Sequence, residues 1–278
     1  MSYKTIVVHL DTSQRVHPRL EMALHLAKHF GAHLTGVFAV FSPDPRSLYV
    51  MDGTADYYTL HEQLRVERRA AIERLFHAEL SRAEVAGEWL AVDGPANLAV
   101  PLRGRYADLI IASQDDPHDP ESYVDDNFPE NLVMSAGRPV LLLPHATRVT
   151  SPGNHVMVGW DGSREAIRAV HDALPFMRTA RLTTIVAVNG ARGEPGPRIP
   201  GADIATVIAR HGIRVEVKDV DAGSEEAVGD TLLSEADALG ADLLVMGAYG
   251  HPRWRELLMG GATRTILKSM TVPVLMSH

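Results

Sequence analysis

The sequence predicts an α/β fold of two tandem domains, each an open parallel sheet of five strands flanked by helices. Three observations lead to this prediction: the chain length, an internal repeat, and short apolar runs that alternate with helical patterns. A chain of 278 residues fits two domains at about 100 to 200 residues each. Alternation of strands and helices over each half is typical of a parallel sheet covered on both faces.

The internal repeat consists of four strand-like segments that recur in the same order in both halves. The matched pairs are residues 6–13 with 156–163, 34–40 with 182–188, 107–111 with 241–245, and 139–141 with 273–275. In the first pair an apolar run ends on Asp11 or Asp161, and a helix start follows. Four matches in one order indicate a duplicated domain. We place the domains at 1–146 and 154–278, with Pro152 and Gly153 in the linker.

The remaining elements follow from helical spacing and from turn residues. Predicted helices cover residues 19–30, 62–84, 97–106, 164–177 and 202–210, a helix start lies at 223–226, and further strands cover 88–92 and 215–220. The predicted inner stripe of the long helix is Leu64, Ala71, Leu75 and Leu80. Residues 41–59 form a long connection, which is either a cap over a cavity or partner surface or an excursion packed by its own aromatics.

Composition narrows the functional classes. Lys and Arg total 27 against 35 Asp and Glu, a formal net charge of −8, which gives no basic footprint for nucleic acid. The absence of cysteine excludes disulfides, thiolate metal sites and thiol nucleophiles. No apolar run reaches the roughly 18 residues of a membrane helix, and a strand pattern begins directly after Lys4. We therefore expect a cytoplasmic protein without membrane or nucleic-acid partners.

The sequence contains no familiar pattern for hydrolytic or metal-dependent catalysis. The 14 histidines include His25 and His29 at helical i, i+4 spacing, but two ligands do not make a metal site, so we interpret them as surface residues. The chain has no nucleophile elbow, no His-Glu-x-x-His and no P-loop lysine, since Lys268 lies too deep in the last helix. Turnover is expected to be slow at most, with Asp161 as the one recognisable general base.

A glycine-rich loop follows the apolar run of residues 243–246. Gly247 ends that run, Gly250 follows after two residues, Gly260 after nine more, and Thr263 then opens an apolar-periodic helix. Glycine lets the backbone approach a ligand closely, and a helix N-terminus presents unpaired N–H groups with a partial positive charge. This order of elements predicts a phosphate-binding site. A surface loop without a ligand is the alternative.

The spacing of these glycines resembles the nucleotide-binding signature of the universal stress protein family. The family pattern is Gly, two residues, Gly, nine residues, Gly, then Ser or Thr. Here Gly261 occupies the last position, so a hydroxyl contact to phosphate is lost unless Thr263 supplies one. Together with the internal repeat, the resemblance covers nearly the whole chain and implies a tandem universal stress protein.

The resemblance implies that the C-terminal half binds an adenine nucleotide, ATP or a relative, with or without Mg²⁺. It places Asp161 near the nucleoside, the backbone around Val188 at the adenine, and the glycine loop along the ribose and phosphates. The implied contacts are Asp161, Gly162, Val188, Met246, Gly247, Gly250, His251, Arg253, Gly260, Gly261, Ala262 and Thr263. Arg253 is either a clamp on phosphate or a solvated side chain, and Asp161 is alternatively the acceptor of an Asx turn.

The resemblance also implies an architecture and a mode of action. Each half is expected to be a Rossmann-like domain with strand order 3-2-1-4-5, and the halves are expected to pair along residues 140–143 and 274–276 as an internal pseudo-dimer. A homodimer of such chains and protein partners are further expectations. The implied function is a stress-response switch. The alternatives are a scaffold of the same fold without nucleotide, for which Gly261 argues, and an adenylylating enzyme, whose pyrophosphate motif is absent.

The N-terminal half lacks the glycine loop. Matching Asp108 to Asp242 and Pro139 to Pro273 aligns the two segments without a gap. In that alignment Ser113, Asp116, Asp126, Asn127 and Pro129 replace Gly247, Gly250, Gly260, Gly261 and Thr263. Residues 114–126 also carry Asp115, Asp119, Glu121 and Asp125, which we interpret as a solvated acidic loop. Since carboxylates repel phosphate, we expect no nucleotide in this half.

Overall fold

The computed structural model describes residues 2–40, 55–92, 94–147, 149, 151–189, 200–224, 227–250 and 261–278. Most of the predicted 41–59 connection, and His251, Arg253 and Gly260 of the predicted site, lie outside these residues. Within them, strands and helices alternate through both halves of the chain.

The described part of the first half contains five strands and four helices. They are β1 (Thr5–Leu10), α1 (Val16–Phe30), β2 (His33–Phe38), α2 (Ala55–Ala83), β3 (Gly87–Ala91), α3 (Ala96–Gly104), β4 (Leu109–Ser113), α4 (Phe128–Ala136) and β5 (Val140–Leu143). A short 3₁₀ turn, Pro120–Ser122, lies between β4 and α4. The predicted helices agree with these within a few residues, except that α2 begins earlier.

The second half repeats this order. Its elements are β6 (His155–Trp160), α5 (Arg164–Asp172), α6 (Leu174–Met177), β7 (Leu182–Val188), α7 (Ala202–Ala209), β8 (Val215–Val220), α8 (Val228–Leu239), β9 (Leu243–Gly247), α9 (Ala262–Ser269) and β10 (Val274–Ser277). The single helix predicted over 164–177 is wrong, because two helices meet at Ala173 with Pro175 in the first turn of the second. Proline lacks the N–H that would continue the helix.

All ten strands form one sheet in the order β3-β2-β1-β4-β5-β10-β9-β6-β7-β8. Within each half the strands are parallel and follow the order 3-2-1-4-5, as predicted. The halves join through β5 and β10, which pair antiparallel with Leu141 opposite Leu275. The predicted pairing of the last strands is therefore confirmed, and it makes the chain an internal pseudo-dimer.

Two apolar clusters cover the two faces of this sheet. In β1, Ile6, Val8 and Leu10 belong to the cluster under α1, α2, α5, α6 and α7. The intervening Val7 belongs to the cluster under α3, α4, α8 and α9. Successive side chains of a strand point to opposite faces, so strands buried on both faces must be apolar throughout. This explains the continuous apolar runs in the sequence.

The inner face of α2 differs from the prediction. Phe76 and Leu80 are buried and Leu75 packs against the core, but Leu64 is 40% exposed and Ala71 is also exposed. Phe76 fits because Gly36 of β2 leaves room for its ring: a Cβ at Gly36 would lie 2.7 Å from Phe76 Cε2. The sheet below the helix therefore selects its buried face, and the predicted stripe is wrong at Leu64 and Ala71.

Two aspartates of the repeat brace the starts of the first strands. Asp108 Oδ2 accepts hydrogen bonds from the N–H groups of Lys4 and Thr5 at 2.7 and 3.0 Å. Asp242 accepts three from Gly153, Asn154 and His155 at 2.9 to 3.1 Å. These carboxylates satisfy backbone donors that the ladder leaves unpaired, so this repeated motif has a structural role at the edge opposite the candidate site.

Candidate functional site

The candidate site lies where β6 and β9 end at the same edge of the sheet. The two strands are parallel neighbours, with Gly159 opposite Met246, so the segments after Trp160 and Gly247 meet. In open α/β sheets, ligands bind beyond the carboxyl ends of the strands where the strand order reverses. Asp161 and the loop around Gly250 both lie at this position.

Gly247 is required first of all by packing. A Cβ atom at this position would lie 2.5 Å from the backbone nitrogen of Ala166 and 2.6 Å from the carbonyl carbon of Glu165. The first turn of α5 therefore rests directly on the end of β9, and only glycine permits this approach. The sequence analysis had assigned this glycine to ligand approach alone.

The loop after Gly247 is held by its own hydrogen bonds. Ala248 donates to the carbonyl of Ser277 at 2.9 Å, and the Tyr249 N–H donates to Thr263 Oγ1 at 3.3 Å. Tyr249 is left-handed, with φ of 56°, a conformation that costs energy in a non-glycine residue and that clusters at functional sites. Thr263 is 3% exposed, and its hydroxyl oxygen braces the loop by accepting from Tyr249.

Helix α9 begins without a side-chain cap. Gly261 is its N-cap residue and has no side chain that could accept from the first turn. The N–H groups of Gly261, Ala262 and Thr263 donate to none of the described residues, whereas the next two donate to the Gly261 carbonyl. Unpaired N–H groups at a helix start form an anion site, strengthened by the helix dipole. The Tyr249 to Thr263 hydrogen bond joins this helix start to the glycine loop.

Asp161 makes an Asx turn, the alternative given above for this residue, and one of its carboxylate oxygens has no partner among the described residues. Its Oδ1 accepts from the Ser163 N–H at 2.9 Å, while Oδ2 accepts from none of the described residues. The side chain is exposed. Gly162 has φ of 76°, which favours glycine in this turn. Ser163 then caps α5 by accepting from the Ala166 N–H at 3.1 Å.

Val188 and Met246, two predicted ligand contacts, lie beside this edge with their side chains largely covered by the core. Val188 ends β7, the strand next to β6, and is half-buried against the core. Met246 is 6% exposed within the same cluster. A ligand at the edge would therefore meet the main chain of Met246.

Glu165 is a site residue that the sequence analysis missed. A Cβ atom at Gly250 would lie 3.2 Å from its Oε2 and 3.3 Å from Ser163 Oγ. The residue accepts no hydrogen bond or ion pair from the described residues. Its position in the sequence could have indicated this role. Glu165 lies in the first turn of the helix after Asp161-Gly162-Ser163, and a helix that follows that turn must begin beside the neighbouring loop.

The corresponding crevice of the N-terminal half is closed by a buried ion pair. Asp11 and Arg19 are each 2% exposed, and Arg19 Nη2 lies 2.6 Å from Asp11 Oδ1. Burial raises the pKa of Asp11, but Arg19, His9 and the Ser13 hydroxyl together hold it below its usual range. This carboxylate is therefore charged, paired and covered, whereas the matching Asp161 is exposed.

An aromatic contact narrows the rest of that crevice, where a small cavity remains between the two rings, the ion pair and Asp115. The rings of His9 and Phe128 lie 4.8 Å apart, and both residues are buried. His9 Nε2 lies 2.8 Å from the Ala39 carbonyl, and burial and Arg19 lower the pKa of His9 to about 4. At neutral pH the ring is uncharged and Nε2 is the donor. The aligned positions in the C-terminal half are Gly159 and Ala262, which lack these rings.

The acidic segment of this half is not wholly a solvated loop, and that prediction is wrong at Asp119. Asp119 is 5% exposed and accepts from the N–H groups of Gln14 and Glu121 at 2.8 and 3.1 Å. Glu121 accepts from the Thr12 hydroxyl and from Arg68, both at 2.6 Å. Burial, Glu130 and Asp11 raise the pKa of Asp115 to about 6. The carboxylates of Asp119 and Glu121 therefore hydrogen-bond this segment to the loop after β1.

The described residues contain neither a metal-binding cluster nor a membrane-spanning helix. No group of three or more His, Asp or Glu side chains gathers there in a metal-binding arrangement. No helix of that part is both long and apolar enough to cross a membrane.

Comparison with known proteins connects this architecture to one family. Residues 153–278 match the universal stress protein family. A universal stress protein of a Synechocystis strain is 27% identical over 147 residues, which cover 52% of this chain and 49% of that protein. The chain thus spans about half the length of this relative.

Solved structures extend the similarity in fold to the whole chain. A universal stress protein from Archaeoglobus fulgidus has a TM-score of 0.71 at 17% identity, over 98% of this chain and 95% of that one. A putative universal stress protein from Pseudomonas aeruginosa has a TM-score of 0.58 at 16% identity, over 99% and 93% of the two chains. Residues 153–278 are therefore similar to the universal stress protein family, and the whole chain shares the fold of these two solved structures.

Proposed function

We propose that the C-terminal half, residues 154–278, binds one adenine nucleotide and acts as a regulatory switch in a stress response. The protein would work in the cytoplasm by changing its contacts with protein partners or with a second copy of the chain. Efficient catalysis is not part of this function. Slow hydrolysis would depend on Asp161, whose free carboxylate oxygen is the general base at this edge of the sheet.

The observation that carries this proposal is the uncapped start of α9, joined to the glycine loop. The N–H groups of Gly261, Ala262 and Thr263 have no acceptor among the described residues, and Tyr249 ties the loop to that helix. A phosphate accepting from these donors would satisfy them, and the helix dipole would add to the attraction. The family match over 153–278 supports the same half of the chain.

The remaining groups suit the nucleoside. The free oxygen of Asp161 can accept from a ribose hydroxyl, as a carboxylate does in other open α/β sheets. The end of β7 at Val188 provides main-chain groups for an adenine. Gly250 leaves the loop without a side chain where ribose and phosphate would pass. His251, Arg253 and Gly260 complete the proposed set, and Mg²⁺ would accompany a polyphosphate.

Calorimetry with ATP, ADP and AMP, with and without Mg²⁺, tests this proposal on protein stripped of ligand. Gly250→Asp copies Asp116 and places a carboxylate beside Glu165, so binding should fall below detection while the melting temperature stays close to that of the wild type. Ser234→Asp, on the exposed side of α8, adds the same charge away from the crevice and should bind normally. Equal affinity in Gly250→Asp and the wild type would refute the assignment.

The second candidate function is a scaffold of the same fold that binds protein partners without nucleotide. Two observations favour it: glycine replaces the hydroxyl residue at Gly261, and the Glu165 carboxylate faces the loop at Gly250. No heat of binding and no thermal stabilisation with any of the three nucleotides would support this function over the first.

A further inference from the structure

Glu165 brings a negative charge to the loop where the phosphates of the proposed nucleotide would lie. A Cβ atom added at Gly250 would lie 3.2 Å from Glu165 Oε2. A Cβ atom added at Gly247 would lie 2.9 Å from Glu165 Cβ. The side chain is half-buried. A ligand that follows this loop therefore passes directly beside the carboxylate.

This charge is not neutralised within the described residues. On the same helix, Arg168 lies one turn further along. Its Nη1 and Nη2 donate to the carbonyls of His278 and Gly137 at 2.7 and 2.8 Å. Arg168 is therefore occupied in joining the two halves of the chain.

Gly261, Ala262 and Thr263, which begin α9, supply no cation to offset this repulsion. Gly261 supplies no hydroxyl, and the Thr263 side chain, which accepts from Tyr249, is buried. Among these three residues, the backbone N–H groups are therefore the main donors to a phosphate there. In the N-terminal half the residue aligned with Glu165 is Arg15, so the charge at this position is a property of the C-terminal crevice and not of the fold.

We propose that Glu165 sets the phosphate number of the ligand. The site would prefer an adenine nucleotide with one phosphate over a triphosphate, and would accept a triphosphate mainly when a divalent cation neutralises it. This inference rests on the proposed nucleotide-binding function. Repulsion between two charges grows with the charge of the ligand and falls as the surrounding water and salt screen it.

The test compares AMP and ATP binding by wild type and Glu165→Gln, each with and without Mg²⁺. Without Mg²⁺ the wild type should bind AMP about tenfold more tightly than ATP. Glu165→Gln should tighten ATP binding by about tenfold and AMP binding by less than about threefold. Added Mg²⁺ should remove most of this difference. Glu130→Gln, which changes the same charge in the first turn of α4, should leave both affinities unchanged.

The outcomes separate this inference from the proposed function. If nucleotides bind but Glu165→Gln changes the AMP and ATP affinities by the same factor, Glu165 does not set the phosphate number, and the proposed binding site remains. If neither nucleotide binds to the wild type or to Glu165→Gln, the inference fails together with the proposed function. Melting temperatures within a few degrees of the wild type would show that both variants are folded.

Discussion

The two halves of the chain present the same edge of the same sheet in opposite states. In the C-terminal half, Asp161 is exposed, and α9 begins at Gly261, an N-cap residue that has no side chain. In the N-terminal half, Arg19 pairs with the buried Asp11, and Phe128 begins the matching helix against His9. A few substitutions after the strand ends therefore change the side chains that line this edge, while the strand order is unchanged.

Aligned pairs show how each substitution acts. Arg19 corresponds to Ala169, Phe128 to Ala262, and Asp116 to Gly250. Each residue of the N-terminal half is larger or charged where its counterpart is small. The N-terminal edge therefore gains packing and ion pairing, whereas the N–H donors at the matching place in the C-terminal half have no acceptor among the described residues.

The largest expected effect comes from breaking the ion pair that closes the N-terminal crevice. Arg19→Ala would leave the Asp11 carboxylate buried without a partner, which should lower the free energy of unfolding by about 3 to 5 kcal/mol. Asp161→Ala, at the matching exposed carboxylate, should cost less than about 1 kcal/mol. Urea unfolding of both variants measures the difference.

A double variant controls for simple loss of packing. Arg19→Ala with Asp11→Ala removes the unpaired charge, so it should be more stable than Arg19→Ala alone. A cost below about 1 kcal/mol for Arg19→Ala would mean that the pair contributes no more than an exposed one. The contrast between the halves would then have another cause.

The second prediction transfers the closing residue to the open half. Ala262→Phe copies Phe128 and should place a ring at the start of α9, reducing nucleotide affinity by at least about tenfold, or about 1.4 kcal/mol. The fold should persist because Phe128 occupies the same helix position in the first half. Calorimetry measures the affinity, and Ala238→Phe on the exposed side of α8 is the control. Unchanged affinity in Ala262→Phe would show that the crevice is not the site.

The third prediction concerns pH and is the smallest. The pKa of Asp115 is raised to about 6 in the folded protein, above the value of an unfolded chain. The folded state therefore binds the proton more tightly, so this group stabilises the fold progressively as the pH falls from about 7 to 4. Asp115→Asn should remove that dependence. It should be more stable than the wild type by about 1 kcal/mol at pH 8, since water screens the charge, and equal to it near pH 4.

Thermal unfolding across this pH range checks the sign. A gain for Asp115→Asn that increases as the pH falls would contradict the assignment of the raised pKa to Asp115.

The sheet could be predicted from the sequence because its strands are buried on both faces. The repeated apolar runs therefore predict where the strands lie. The family resemblance predicted the strand order and the pairing of β5 with β10, which the sheet confirms. The inner face of α2 could not be predicted in the same way. Its selection depends on Gly36 in a strand that is distant in sequence, which gives Phe76 its place.

The candidate site was predicted in part for a similar reason. The glycines and Asp161 follow the ends of strands, so their place at the edge of the sheet could be predicted from the sequence alone. The proximity of Glu165 to Gly250 and the buried pair of Asp11 with Arg19 depend on how a helix packs across the edge. Spacing along the sequence does not contain that information. The domain boundary at 147–153 stays a prediction.

Native mass spectrometry of the stripped protein with excess AMP or Mg·ATP tests the central claim most directly, because it counts ligands per chain. The account predicts one nucleotide bound per chain in the wild type, none in Gly250→Asp, and one in Arg15→Ala, which alters only the N-terminal crevice. Two nucleotides per chain, or one that persists in Gly250→Asp, would contradict the division into an open and a closed half.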